Sequence, residues 1–178
     1  MFNKNIYNLL SYARNKKSLN IINQFAKIDN YNLIAPNLYL GNITGSLDKN
    51  FLEACKIEAI VNCTENEPYS EYFEDKLKFR LSINDSKNPE NIQKFKEHII
   101  DTVNFIDSAI ENDKPVFVHC YWGLMRSATV VACYLIKKYN IDSNEAISII
   151  KMQRPMALVS FYNFNEILDF VEKSYLHK

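Results

Sequence analysis

In the stretch Val116-Phe-Val-His-Cys-Tyr-Trp-Gly-Leu-Met-Arg-Ser127, a cysteine and an arginine stand six residues apart with one glycine between them. A thiolate is a strong nucleophile, and a guanidinium is a planar fork that grips phosphate or carboxylate oxygens in pairs. The apolar run Val116 to Val118 ahead of His119 and Cys120 reads as a buried strand, and the apolar stretch after Ser127 has helical spacing. Strand, tight segment and helix start, in that order, surround an anion with unpaired backbone N–H groups. The anion could be a phosphate or the Cys120 thiolate itself, since the same positive potential favours ionised sulfur. Phosphate held against a thiolate is an arrangement for phosphoryl transfer through a cysteinyl-phosphate.

The pattern His119-Cys120-x-x-Gly123-x-x-Arg126-Ser127 resembles the signature loop of the cysteine-dependent tyrosine and dual-specificity phosphatases. A bare Cys-x5-Arg arises by chance. The weight comes from the His-Cys pair, the glycine, the hydroxyl after the arginine, the strand before and the helix after. The bland alternative makes Cys120 an ordinary buried cysteine and Arg126 a surface residue. The resemblance implies that Cys120 attacks phosphorus. The segment Tyr121, Trp122, Gly123, Leu124, Met125 and Arg126 would then hold the phosphate oxygens, where a loose transition state needs charge stabilised. It also implies that Ser127 offers its hydroxyl to the sulfur, a role compatible with an N-cap, and that His119 supports the loop through hydrogen bonds.

A departing alkoxide or phenoxide needs a proton, so a carboxylic acid must stand over the loop. Asp85, in Ser-Ile-Asn-Asp-Ser, follows a strand pattern and precedes a polar loop and a helix, a position that resembles the family's general-acid loop. The alternative is a turn or N-cap aspartate; Asp75, Glu71 and Glu74 are weaker rivals, in a stretch that reads as exposed loop. Cys63 ends the strand pattern Ala59-Ile-Val-Asn-Cys, and strand C-termini in such sheets face the ligand crevice. In some relatives a cysteine in this region pairs reversibly with the nucleophile; the plainer reading is a small buried residue. Cys133 lies among apolar residues of the following helix and reads as core. His98, His119 and His177 lack metal-ligand spacing, so neither a metal nor a cofactor is expected.

These residues need a scaffold. The spacing predicts a proline turn and short strand over Leu33 to Asn42, a helix over Asp48 to Cys55, and a buried strand over Ile57 to Cys63. It continues with a strand over Leu77 to Ile83 and an amphipathic helix over Pro89 to Asn112. Helices over Ser127 to Tyr139, Ser143 to Gln153 and Tyr162 to Leu176 complete the chain. Strands alternating with helices indicate an α/β domain with a central, mainly parallel sheet flanked by helices. Pro36-Asn-Leu-Tyr-Leu-Gly41 resembles the entry of dual-specificity phosphatase domains. That places the catalytic domain at 31–178, after an N-terminal helical extension at 1–30.

The extension carries Phe2, Ile6, Leu9, Leu10 and Ala13, then Leu19, Ile22, Phe25 and Ala26, at helical spacing. It is basic: Lys4, Arg14, Lys16, Lys17 and Lys27 stand against Asp29 alone. Packing on the domain, pairing into a homodimer and contact with an anionic surface are the three readings. The small viral members of the family have a similar extension, which can mediate dimerisation.

The chain has 178 residues, 47% of them hydrophobic and 24% charged, enough for one domain with a sizeable core. With 21 basic and 21 acidic residues the formal charge is zero, which gives no global electrostatic case for nucleic acid or membrane. No run of about 18 apolar residues suggests a spanning helix, and no secretory signal is visible. Four scattered cysteines and a catalytic thiolate suit a reducing, cytoplasmic location. Two departures from the family pattern stand out. Tyr121, Trp122, Leu124 and Met125 should make the pocket wall bulky and apolar. After Arg154-Pro155 the usual Pro-Asn turn is missing, leaving the contacts of that region open.

The expected function is a protein phosphatase acting on phosphotyrosine and on phosphoserine or phosphothreonine. RNA 5′-triphosphate or phosphoinositide would be substrates of the same chemistry, but the loop lacks the basic residues that extra phosphates call for. Trp122 could still stack on a base. A phosphate-binding scaffold with little turnover is the third reading.

Overall fold

The computed structural model describes residues 29–159 and 164–176. The extension expected at 1–30 therefore lies almost wholly outside the described residues, as does the Tyr162 start of the last helix.

Two strands come first, β1 (Tyr31–Ala35) and β2 (Leu38–Gly41), followed by two short helices, α1 (Ile43–Leu47) and α2 (Lys49–Ala54). Next are β3 (Ala59–Asn62), a 3-10 turn at Glu71–Phe73, and β4 (Leu77–Arg80). The long helix α3 (Pro89–Glu111), the strand β5 (Val116–His119) and the helix α4 (Arg126–Tyr139) follow. Helices α5 (Ser143–Gln153) and α6 (Asn165–Leu176) end the described chain. The five strands form one sheet in the order β1-β2-β5-β3-β4. Only the β1–β2 pair is antiparallel; the other three pairings are parallel.

Strands β3 and β5, Ala-Ile-Val-Asn and Val-Phe-Val-His, are buried at every position because helices or loops cover both faces. Their side chains alternate between two cores. Ala59, Val61, Val116 and Val118 join the main cluster under α3, α4, α5 and α6. Ile60 and Phe117 face the other way, into a smaller cluster with Phe51, Leu52, Ile57 and Phe73. Each fully buried side chain of this size contributes about 1.5–3 kcal/mol. The helix α3 starts where Asn88 accepts from the Asn91 N–H at 2.7 Å, with a proline in its first turn. It buries Ile92, Phe95, Ile99, Val103 and Ile106. The helix α4 is buried from Arg126 to Ile136 and stops at Asn140, whose φ of 53° is left-handed. At its exposed end Lys137 and Lys138 both reach Asp107 at 2.8 Å.

The parallel register pairs Asn62 with His119, so Cys63 and Cys120 leave adjacent strands side by side at their C-terminal ends. The strand expected over Leu77 to Ile83 ends at Arg80, because Leu81 makes a last bond to the Asn62 carbonyl before the chain leaves the sheet. Strand β1 and helix α1 were not expected. Asn42 secures α1 by accepting from the Gly45 N–H at 3.0 Å.

Candidate active site

The residues from Cys120 to Arg126 curl around the sulfur of Cys120, which is 1% exposed. The Gly123 N–H and the Ser127 hydroxyl both donate to Sγ, each at 3.2 Å. Met125, not Ser127, takes the N-cap position and makes no side-chain cap bond. The N-cap role for Ser127 is thereby corrected: it is the second residue of α4, and its hydroxyl turns inward to the sulfur. Gly123 has φ of +68°, and a Cβ there would run into the Gly41 carbonyl on β2. Only glycine fits that position without strain.

Every carbonyl from Tyr121 to Met125 points outward to a donor. Ile43 N–H holds Tyr121 O at 3.2 Å, Leu158 N–H holds Leu124 O at 3.0 Å, and Thr129 N–H holds Met125 O at 2.8 Å. Arg154 reaches two of them, Trp122 O from Nη2 at 3.1 Å and Gly123 O from Nε at 2.7 Å. The N–H groups of Tyr121, Trp122, Leu124 and Met125 form no hydrogen bond among the described residues. A loop with its carbonyls tied outward presents its amides to the centre, which is the geometry of an anion nest.

Arg126 completes the ring. It is 8% exposed, and its Nη1 donates to Ile83 O at 3.1 Å and Cys63 O at 3.3 Å. Its Nε is buried with no partner, and Nη2 has only a 3.8 Å contact to Asp85 Oδ2. One edge of the guanidinium is thus fixed by backbone, while the Nε–Nη2 edge is available for two oxygens of an incoming phosphate.

Asp85 stands on an exposed loop with its carboxylate over Arg126. Asn91, in the first turn of α3, staples that loop on both sides. Its amide donates to Asn84 O at 3.0 Å and to Ser86 O, and its Oδ1 accepts from the Asn84 N–H at 3.2 Å. Asp85 borders a cleft of about 200 Å³ with Thr64, Glu65, Tyr121 and Arg126. Its rivals Glu71, Glu74 and Asp75 precede β4, at the end of the parallel strands opposite to Cys120.

The wall of that cleft differs from expectation. Tyr121 borders it, but Trp122 is 60% exposed on the surface with its ring 5.1 Å from that of Tyr121. Leu124 and Met125 pack against the main core. The cleft wall is therefore less bulky than the loop composition implied.

His119 is fully buried and stacks on Phe117 at 5.7 Å. Neither ring nitrogen attains the geometry of a hydrogen bond, so the contact expected to orient the loop is here a matter of packing. Burial, with repulsion from Arg80 and Arg126, lowers its pKa to about 4 against the pull of the Cys120 backbone. The imidazole is neutral near pH 7. Burial pushes the Cys63 thiol well above its ordinary value, and the nearby Cys120 adds to this while Arg126 opposes it. Cys133 is buried in α4, as expected of a core residue. Among the described residues no group of three His, Cys, Asp or Glu is arranged to hold a metal ion, and no helix is long and apolar enough to cross a membrane.

Two supporting residues escaped the sequence reading. Asn91 had no signal beyond its place after a proline. Arg154 had a partial one, an arginine before a proline in a region with its usual turn missing. Leu158, with φ of 53°, supplies the contact of that region by donating to Leu124 O.

Residues 38–173 match the family model described as dual specificity phosphatase, catalytic domain. Human dual specificity protein phosphatase 6 is 35% identical over 140 residues, covering 77% of this chain and 35% of that protein. Human dual specificity protein phosphatase 16 is 29% identical over 140 residues, covering 79% of this chain and 20% of that protein. The chain thus spans about a third or less of the length of these relatives. The crystal structure of human DUSP28 superposes with a TM-score of 0.73 at 20% identity, covering 82% of this chain and 95% of that one, a likeness of fold.

Proposed function

This chain belongs to the dual specificity phosphatase family, and we propose that it hydrolyses phosphotyrosine and phosphoserine or phosphothreonine in proteins through a phosphate ester of Cys120. One observation carries the reading: the carbonyls of Tyr121 to Met125 are all bonded outward, so their amides and the open edge of Arg126 converge on the space above Sγ. Donors fixed in advance stabilise the equatorial oxygens of a loose transition state without reorganising.

In this reading Sγ attacks phosphorus in line as the P–O bond to the side chain breaks. Asp85 gives its proton to the departing oxygen. The same carboxylate then takes a proton from water, whose oxygen attacks phosphorus and releases the thiolate. Ser127 donates to the sulfur as it leaves. His119 holds the loop from below by packing. Tyr121, Trp122, Leu124 and Met125 add no positive charge, so the loop offers nothing to the extra phosphates of RNA 5′-triphosphate or phosphoinositide.

The test is turnover of a small aryl phosphate and of phosphotyrosyl and phosphothreonyl peptides, without added metal. Wild type should act on all three, and Cys120→Ser on none. An inactive wild type, or activity that survives Cys120→Ser, would overturn the reading.

We further propose a division at about residue 30, with the basic amphipathic segment joining two copies of the chain. Removing residues 1–30 should convert a dimer to a monomer in sedimentation; a monomeric full chain would refute this. Four unpaired cysteines and a catalytic thiolate support a reducing, cytoplasmic setting. Fractionated cells would check it, and enrichment in a secretory compartment would count against it.

A further inference from the structure

The floor and the mouth of the Arg126 cleft carry opposite charge. At the floor is one nearly buried cation whose Nε has no partner. The exposed residues Glu65 and Asp85 and the half-buried Glu67 line its mouth. Neither glutamate takes part in an ion pair among the described residues.

The loop that carries the two glutamates is fixed from behind. Asn62 Oδ1 accepts from the Thr64 N–H at 3.0 Å and from its hydroxyl at 2.6 Å, while Asn62 Nδ2 donates to Glu67 O at 3.0 Å. Arg80 donates to Thr64 O and Glu67 O, each at 2.9 Å, with its guanidinium 4.7 Å from the Tyr69 ring centre. That cation is spent on backbone carbonyls and an aromatic face, which sets the loop in place without neutralising its carboxylates. Charges held on a rigid frame lose little entropy when a partner arrives.

Resting on the phosphatase reading above, we propose that Glu65 and Glu67 make this site selective for phosphopeptides with lysine or arginine beside the phosphorylated residue. The floor accepts one phosphate group. A neighbouring ammonium or guanidinium meets the glutamates at the mouth, whereas a neighbouring carboxylate or second phosphate meets like charge there. Discrimination thus comes as much from repulsion as from attraction. Each exposed pair contributes little, so the two glutamates together give roughly fivefold to tenfold in kcat/KM between basic and acidic neighbours.

The test uses the full chain and phosphotyrosyl peptides that differ only in having lysine, alanine or glutamate at the positions flanking the phosphotyrosine. Wild type should rank them lysine, alanine, glutamate. The spread should shrink in high salt, where exposed charges are screened. The double variant Glu65→Gln, Glu67→Gln should flatten the ranking, and Glu65→Lys with Glu67→Lys should reverse it. Equal rates in wild type, a spread insensitive to salt, or a ranking unchanged in both variants would overturn the proposal. The salt series needs no variant, so misfolding cannot mask the answer. A wild type active on the small aryl phosphate and on all three peptides alike refutes the selectivity but leaves the phosphatase reading intact. Activity on none of them refutes both.

Discussion

Replacing Arg154 by methionine should disturb the phosphate loop through its back. Arg154 is 3% exposed and its side chain makes four hydrogen bonds. Two hold the loop, at Gly123 O and Trp122 O; two hold the start of the domain, at Asp29 O (2.7 Å) and Asn32 Oδ1 (2.6 Å). Burial lowers its pKa, against the attraction of Cys120 and Asp29, so the guanidinium is kept in place by its partners at a desolvation cost. A bond from a charged donor is worth about 1.5–3 kcal/mol. The two loop bonds then amount to about 3–6 kcal/mol. Water can replace the more open pair at Asp29 and Asn32, and removing a buried charge returns part of the rest. A net loss of about 3 kcal/mol remains. For a chain of this size about 2–4 °C of Tm accompanies each kcal/mol, so Tm should fall by about 6–12 °C. With two carbonyls released, loop amides can turn away from the centre, and a displacement of about 1 Å costs on the order of 100-fold in rate. Thermal unfolding and kcat/KM on an aryl phosphate, measured well below the new midpoint, test both halves. An unchanged Tm would refute the energetic reasoning. A lowered Tm with undiminished kcat/KM would refute the idea that Arg154 aims the amides.

Asp85→Asn should lose most activity on alkyl phosphates and phosphopeptides but much less on an aryl phosphate with a good leaving group; equal losses on all would remove Asp85 as the acid. Ser127→Ala should slow release of the thiolate more than its phosphorylation, seen as a larger burst in rapid-quench kinetics; a diminished burst would contradict this. His119, with its pKa lowered to about 4, takes up its proton more readily unfolded than folded, so it favours folding above its ordinary pKa of 6.5, and that contribution is lost as pH falls towards 4. The slope approaches about 1.4 kcal/mol per pH unit in urea unfolding; His119→Asn should flatten it, and an unaltered slope would refute the assignment. Peroxide should oxidise Cys120 to the sulfenic acid, which the Cys63 thiol can condense with, releasing water and forming a disulfide that thiols reduce. Cys63→Ser should then make inactivation irreversible, and equal recovery in both proteins would make Cys63 a plain core residue.

The residues of the candidate site were legible because they lie on one short, ordered segment. Cys120, Gly123, Arg126 and Ser127 need only a strand before them and a helix after them, and both appear as hydrophobic patterns. Asp85 was legible by its place after a strand. What fixes these groups was not. Arg154 meets Gly123 across 31 residues, and no local pattern records such a contact. Strand β1 was missed because its exposed and half-buried residues, Tyr31-Asn-Leu, lack clean alternation. Helix α1 contains Thr44 and Gly45, poor helix formers that tertiary contacts and the Asn42 cap override. The bulky cleft wall was misread because direction in an irregular loop follows no period: Leu124 and Met125 turn into the core and Trp122 to the surface.

In the proposed reaction phosphate passes through the sulfur of Cys120. A phosphotyrosyl peptide labelled in its phosphate, mixed with the protein and quenched in acid during turnover, gives the direct answer once the labelled fragment is mapped. Label should appear on the fragment holding Cys120, should be stronger in Asp85→Asn with an aryl phosphate because hydrolysis of the intermediate loses its base, and should be absent from Cys120→Ser. Turnover that leaves no label on the protein, or label on any other residue, would contradict it.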